Sequence, residues 1–280
     1  MAKAQVGLMI EGQMGLNWTR WSRVLGVAER AGYQCVFRSD HFTNPSGPDL
    51  DSLELFNSLT YAASQTRRIE FGSLVAPVTF RHPTMTVRQA AQIDDLSGGR
   101  LVLGLGAGWQ RREHENYGLP FGTFTTRFAA LTDALEVTSR LLASDAPVTY
   151  QGKSLSVKDA VLLPRPKRKV PILIGGNGVK RSIPLAAKYA DEWNGVFIDP
   201  PTYRERNAQL DALLDRAGRP RSAVKRSLMC PFAWAEASDG IAKLESYIEA
   251  GCQRFMLQIT EYDHLDGVEA WAEKHLQRFH

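Results

Sequence analysis

Residues 69–105 read Ile69-Glu-Phe-Gly-Ser-Leu-Val-Ala76, then Pro83-Thr-Met-Thr-Val-Arg-Gln-Ala-Ala-Gln-Ile-Asp-Asp-Leu96, then Ser97-Gly-Gly99 and Leu101-Val-Leu-Gly-Leu105. The first run is short and apolar, the signature of a buried strand. The second opens on a proline, which a first helical turn tolerates, and the Ser-Gly-Gly break ends it. The third is again a short apolar strand. This strand–helix–strand unit recurs in both directions along the chain.

Towards the N-terminus the pattern predicts strands over 4–10 and 33–37 and a helix over 53–64. A helix over 18–31 spaces Trp18, Trp21, Leu25 and Ala28 at helical period and stops at Gly32. Towards the C-terminus it predicts a long helix over 124–142, strands over 170–174, 192–197, 226–234 and 254–259, and helices over 179–189, 202–217, 239–250 and 265–279. Eight strands alternating with eight helices imply a closed (β/α)8 (TIM) barrel, an α/β fold, rather than an open sheet. Residues 147–166 interrupt the alternation. Gln151-Gly-Lys153 between extended stretches predicts a β-hairpin inserted after the long fourth-strand helix. A barrel of about 250 residues plus hairpin and tail accounts for the 280 residues, read as one domain over 1–280.

Composition narrows the function. With 44% apolar and 23% charged residues the chain is neither disordered nor a disulfide-stapled module. Lys and Arg number 34 against 30 Asp and Glu, a net charge of +4 that no patch concentrates, so nucleic acid is not an expected partner. The densest basic stretch, residues 165–169, is broken by Pro166 and reads as a solvated linker. Cys35, Cys230 and Cys252 lie far apart among apolar neighbours and read as buried, reduced side chains, and no spacing suggests a metal. The apolar run that Glu11 interrupts is too short for a signal peptide or a membrane span, so a cytoplasmic protein with no membrane partner is expected.

Barrel enzymes work at the C-terminal ends of their strands, which directs attention to a few polar residues there. Asp40-His41 closes the second strand, and His41 is the sharpest acid–base candidate because imidazole titrates near neutrality; a purely structural histidine is the alternative. Glu11 breaks the first strand's apolar end. Gly104-Leu-Gly-Ala-Gly108 removes side chains where the fourth strand meets the pocket, which suits either a planar ring against the backbone or a tight turn. Gly175-Gly-Asn-Gly178 lies between a strand and a helix, so it fits a phosphate cradle or, equally, a turn that needs positive φ. Asn194 and Asp199 flank the sixth strand's end. Trp18 and Phe42 suit an aromatic lining or the core. His82 reads as a helix-start packing residue, and His114, His264, His275 and His280 as surface residues.

Taken together, Arg38-Ser-Asp-His-Phe42, Gly72-Ser-Leu-Val-Ala-Pro-Val-Thr-Phe-Arg-His-Pro83, Leu96-Ser-Gly-Gly-Arg-Leu101, Gly104-Leu-Gly-Ala-Gly-Trp109, the stretch from His114 through Phe121, and Pro171-Ile-Leu-Ile-Gly-Gly176 resemble the bacterial luciferase-like superfamily, and within it the deazaflavin (coenzyme F420)-dependent oxidoreductases. The resemblance implies a flavin-like ring at the barrel mouth, backed by a bulge at Leu74, Val75 and Ala76 with a cis peptide between Leu74 and Val75. It also implies that Asp40 and His41 contact the ring or its reactive edge, that Gly106, Ala107 and Gly108 pass beneath it, and that Gly175, Gly176, Asn177 and Gly178 hold the phosphate. The family's frequent threonine is Ala107 here. The glutamate of some sugar-phosphate-oxidising relatives is Trp109, which favours an apolar or aromatic substrate.

The resulting expectation is hydride transfer between F420 and a small unsaturated or carbonyl-bearing substrate. His41 moves the proton, while Glu11 and Trp109 shape the substrate side. A monooxygenase using reduced FMN and molecular oxygen is the alternative, and a non-catalytic flavin-binding barrel a third reading. The partners this allows are a small-molecule substrate, a separate reductase supplying reduced cofactor, and a second copy in a homodimer. The pocket roof is assigned to residues 12–17, residues 43–50 and the hairpin after Pro147.

Overall fold

A computed structural model describes residues 3–279. Its strands are β1 (Gln5–Ile10), β2 (Cys35–Arg38), β3 (Glu70–Ser73), β4 (Ala76–Pro77), β5 (Leu101–Gly106), β6 (Val148–Gln151), β7 (Ser156–Ala160), β8 (Ile172–Gly175), β9 (Glu192–Val196), β10 (Lys225–Pro231) and β11 (Arg254–Ile259). β1 pairs with both β2 and β11, and parallel pairing runs on through β10, β9, β8 and β5 to β3, so the sheet closes. β3 and β4 both pair with β5 and form one interrupted stave. Eight staves result, the barrel that the alternation implies.

The helices are α1 (Trp18–Ala31), α2 (Leu55–Gln65), α3 (Pro83–Ser97), α4 (Arg111–Asn116), α5 (Phe124–Ala143), α6 (Ser182–Tyr189), α7 (Pro200–Arg216), α8 (Phe232–Glu236), α9 (Gly240–Glu249) and α10 (Leu265–His275). Local chemistry sets their ends. The Asn17 side chain accepts the Arg20 N–H (3.0 Å) at the start of α1, and Thr123 and Thr126 form a reciprocal capping box on α5. None of the described helices is long and apolar enough to cross a membrane.

Strand alternation sorts the apolar residues into two layers. Met9, Cys35, Phe37, Leu74, Val102, Leu173, Met229 and Met256 fill the barrel interior. Their neighbours Leu8, Val36, Phe71, Leu103 and Ile172 point outward beneath the helices. All three cysteines are buried, and burial pushes the Cys35 and Cys252 thiols up to about 12, which keeps them protonated and inert. At the barrel floor the fully buried Arg254 donates to Glu192 (2.9 Å), to Gln5 (2.8 Å) and to Glu70, tying β11 to β9, β1 and β3. A buried charge persists only when paired in this way.

Several expectations need correction. Strand β10 stops at Pro231, not 234, because proline brings no N–H to the ladder, and Phe232–Glu236 turns into α8. Helix α6 begins at Ser182, since residues 179–181 form a turn. The chain beyond His275 tightens into a 3-10 turn over Leu276–Phe279, and His280 lies outside the described residues. The basic stretch is no free linker: Arg168 pairs with buried Asp94 (2.7 Å) and donates to the Leu101 carbonyl (2.9 Å), and Lys169 pairs with Asp191 (2.6 Å).

The hairpin β6–β7 is present but does not roof the pocket. It follows the C-terminal end of α5, and helix-to-strand connections lie on the barrel face opposite the strand ends. It packs against the outer helices, where Arg88 donates to the Val161 and Leu163 carbonyls (3.1 and 2.7 Å). One buried carboxylate holds it: Asp133 of α5 accepts from the Tyr150 hydroxyl (2.8 Å), the Ser154 N–H and hydroxyl (2.6 and 2.8 Å) and the Leu155 N–H (3.3 Å). Burial alone raises a carboxyl's pKa, but these donors outweigh it and hold Asp133 below its ordinary value. A lowered folded pKa adds stability above the unfolded value of about 3.9 that is lost as pH falls through the folded one. Asp133→Asn is therefore expected to cost about 1–3 kcal/mol in urea denaturation at pH 7. The gap between the two proteins should narrow as the pH is lowered below 4.

Candidate active site

The strand ends meet on one rim. Register sets Leu105 beside Ile174 and Pro77 beside Gly106, so the two glycine runs occupy neighbouring staves. On the side of β5 away from β8 the β3–β4 stave breaks at Leu74–Val75, where the peptide bond is cis, as the resemblance implies. A Cβ on Gly175 would lie 3.5 Å from Val75 Cγ1 and 3.7 Å from Leu74 Cδ1, an ordinary contact. On β5 there is no such space: a Cβ on Gly104 would lie 2.0 Å from the Ser73 carbonyl oxygen, and one on Gly106 2.4 Å from Val75 Cγ2. The missing side chains thus admit the bulge rather than a ring, a correction to the simpler reading. Leu74 and Ala76 are buried, whereas Val75 is half-buried at the mouth. The Ser73 hydroxyl stitches the break, accepting the Gly104 N–H (2.9 Å) and donating to the Gly104 carbonyl (2.8 Å). Beyond β5, Ala107 packs on the core and Gly108 adopts φ +76° against Thr79.

The second glycine run is held from behind. Asn177 donates to the Val196 carbonyl (2.8 Å) and accepts the Val196 N–H (3.0 Å), which fastens the loop to β9. Gly176 takes φ +116°, its N–H bonded to the Asn194 carbonyl (3.0 Å). Among the described residues no backbone acceptor reaches the N–H groups of Asn177 and Gly178. Arg206 donates to the Asn177 carbonyl (3.1 Å), while Lys180 and Arg181 are exposed. Asn194 is buried within the barrel and donates to Ser227 (3.0 Å), and Asp199 caps α7 through the Thr202 N–H (2.8 Å).

His41 lies on the same rim, three residues beyond Arg38, whose carbonyl accepts the Leu74 N–H (2.8 Å). Its Nδ1 is 2.9 Å from Glu113 Oε1, and Glu113 Oε2 accepts the Phe42 N–H (3.1 Å). Since a carboxylate only accepts, the Nδ1 carries the proton. Burial lowers the imidazole's pKa, but the hydrogen bond and charge of Glu113, with Glu11 and Asp40 adding, carry it above the ordinary value. Trp109, 61% exposed, stands edge-on to His41 with ring centroids 5.3 Å apart. Phe42 stacks on Phe80 (4.7 Å) and touches Tyr117 (5.0 Å), forming an aromatic side to the mouth, whereas Trp18 stands half-exposed against Tyr61, outside the core.

Two acids near His41 are held by other side chains. Asp40 is buried and bidentate to Arg81 (2.5 and 3.2 Å), which also binds Glu54 (2.5 Å), so its carboxylate is satisfied by protein. Glu11 accepts from the side-chain amides of Gln258 (2.7 Å) and Gln13 (3.1 Å). Glu113, Arg81 and Gln258 escaped the sequence reading. His114 is no surface residue either: it is buried between Phe80 and Phe121, with Nδ1 on the Gln110 carbonyl (2.7 Å) and Nε2 on Thr79 (2.8 Å). His82 is exposed at the start of α3 and does not pack there, whereas His264 is a surface residue as expected.

The profile of the family described as Luciferase-like monooxygenase matches residues 4–278. The chain belongs to that family. An F420-dependent glucose-6-phosphate dehydrogenase of Microbacterium testaceum is 34% identical to this luciferase-like chain over 208 residues, covering 71% of it and 59% of the relative. A 5,10-methylenetetrahydromethanopterin reductase of Archaeoglobus fulgidus is 30% identical over 70% of this chain and 55% of its own length. The chain thus spans little more than half of these relatives. In fold it superposes on an F420-dependent secondary alcohol dehydrogenase solved with an F420-acetone adduct (TM-score 0.82, 19% identity, 98% of this chain and 99% of that one). The FMN-bound oxygenating constituent of 3,6-diketocamphane monooxygenase from Pseudomonas putida gives a TM-score of 0.76 at 15% identity, covering 98% and 96%.

The packing around the luciferase-like bulge has a direct test. Gly104→Ala drives a Cβ into a backbone oxygen that cannot turn aside, whereas Gly106→Ala meets only the Val75 side chain. Both should destabilise, by about 1–3 kcal/mol or more. Adding Val75→Ala should restore most of the loss for Gly106→Ala and little for Gly104→Ala, as read by thermal denaturation of the four variants.

Proposed function

We propose that the protein is an oxidoreductase that moves a hydride between an F420-type deazaflavin and a small unsaturated or carbonyl-bearing organic substrate. The observation that carries this reading is the rim, where the half-buried Val75, the bare Gly175 and the Glu113-bound His41 share one mouth. The residues present fit such a group. Val75 offers a low platform for a flat ring, and the N–H groups of Asn177 and Gly178 are free to receive a phosphate. The deazaflavin, when bound, supplies a carbon that gives or takes hydride.

The chain supplies the rest. Asn177 and Arg206 fix the phosphate loop against β9 and α7. His41 holds a proton, and its Nε2 has no protein partner among the described residues, so that nitrogen is the one open to a substrate. Trp109 walls the substrate side with an apolar face, and Glu11 is held in one orientation by two amides. Asp40 acts through Arg81 by shaping the loop rather than by touching the ring. Orientation of the partners is the main contribution of such a site. The chain is proposed to work as one barrel unit, as a homodimer, with reduced cofactor supplied by a separate reductase.

The second reading is an FMN-dependent monooxygenase. It is favoured by family kinship with a 4-hydroxyprotoasukamycin monooxygenase of Streptomyces nodosus, 32% identical over 62% of this chain and 46% of that protein. Titration of cofactor-free protein separates the two. Micromolar binding of the deazaflavin with weak binding of FMN is expected; FMN binding with substrate-dependent oxygen consumption overturns the first reading. His41→Ala should leave cofactor affinity nearly unchanged while turnover falls ~10²–10⁴-fold.

A further inference from the structure

Glu113 is 1% exposed, and among the described residues its only ion-pair partner is His41. The arginines beside it on α4 point elsewhere: Arg112 pairs with Asp49 (2.7 Å) and Arg111 with Glu115 (3.4 Å). A buried carboxylate with no Lys or Arg must either protonate or be balanced by a neighbouring titratable cation. Here both of its oxygens accept hydrogen bonds, from His41 Nδ1 and the Phe42 N–H, an arrangement suited to the ionised form.

We propose that Glu113 is a positioning residue that fixes the Nδ1 proton of His41, so that Nε2 faces the mouth and, in the charge-balanced imidazolium form, donates the proton when a carbonyl-bearing acceptor is reduced. This rests on the function proposed above. In the step, two electrons and a hydrogen leave the reduced deazaflavin as hydride and form a C–H bond on the acceptor. The Nε2–H bond of His41 breaks and its proton goes to the acceptor's other end, leaving a neutral imidazole that solvent reprotonates.

The charges around His41 agree. Glu113 faces it from α4, Glu11 from the end of β1 and Asp40 from its own loop, while the guanidinium of Arg81 is committed to Asp40 and Glu54. Trp109 contributes no charge. The pair stabilises the imidazolium below the ordinary histidine value, and this is lost as pH rises through the raised one.

The test is NMR titration of the His41 imidazole in cofactor-free protein, assigned with His41→Gln. The expected result is an Nδ1–H ring that titrates above free histidine, moved to lower pH by Glu113→Gln and kept raised by Glu113→Asp. In the loaded enzyme Glu113→Gln should cut the reduction rate about tenfold at pH 8 and much less at pH 6. A wild-type His41 that titrates at or below free histidine overturns the proposal even if the variants fail to fold. So does a Glu113→Gln ring that titrates unchanged. An NMR result as expected, joined to turnover only with reduced FMN and oxygen, overturns the reductive role and the function beneath it while leaving the placement of Glu113 intact.

Discussion

The barrel closes around a stave that is not straight, and β5 can follow it only by carrying no side chain at Gly104 and Gly106. Between Ser73 and Ala76 the chain bows across the space where those two side chains would be, and the Ser73 hydroxyl replaces ladder hydrogen bonds with a two-way bond to Gly104. Everything at the mouth inherits its position from this contact. Val75 is lifted to the rim, Gly175 on β8 lies against it, and the Arg38 carbonyl of β2 anchors Leu74 on the other side. Bulges of this kind commonly re-aim side chains next to active sites.

Three groupings of buried charge stand in contrast, and the contrast between them locates the chemistry. On the floor Arg254 serves Glu192 and Glu70, and at the rim Arg81 serves Asp40 and Glu54. In both clusters the cation is a guanidinium that does not titrate, which suits a permanent structural joint. The third pair, Glu113 with His41, uses a cation that can lose its proton near neutrality. That pair sits beside an exposed tryptophan and the bulge, and the two arginine clusters hold the scaffold around it.

The strand–helix alternation was legible because period-two and helical patterns are distinct and are punctuated by glycine and proline at helix ends. The burial of the three cysteines was legible from their apolar neighbours. What the linear pattern hides is decided by contacts across the fold. Glu113 and Glu115 are the same residue type on one short helix, yet only Glu113 reaches the end of β2. His114 between them reads as solvent-facing until Phe80 and Phe121 close over it. The hairpin announced itself through Gln151-Gly-Lys153, but its distance from the mouth follows from where α5 ends. The β5 glycines drew notice for the right place and the wrong tenant, because a neighbouring stave fills the gap.

The account depends on the bulge being the seat of a flat ring beside His41, and methyl NMR of the labelled chain reads that contact directly. On adding the deazaflavin, the Val75 methyl signals should shift strongly by ring current, together with the His41 imidazole, while methyls on the barrel floor side stay in place. Saturable binding that leaves both Val75 and His41 unmoved would contradict it.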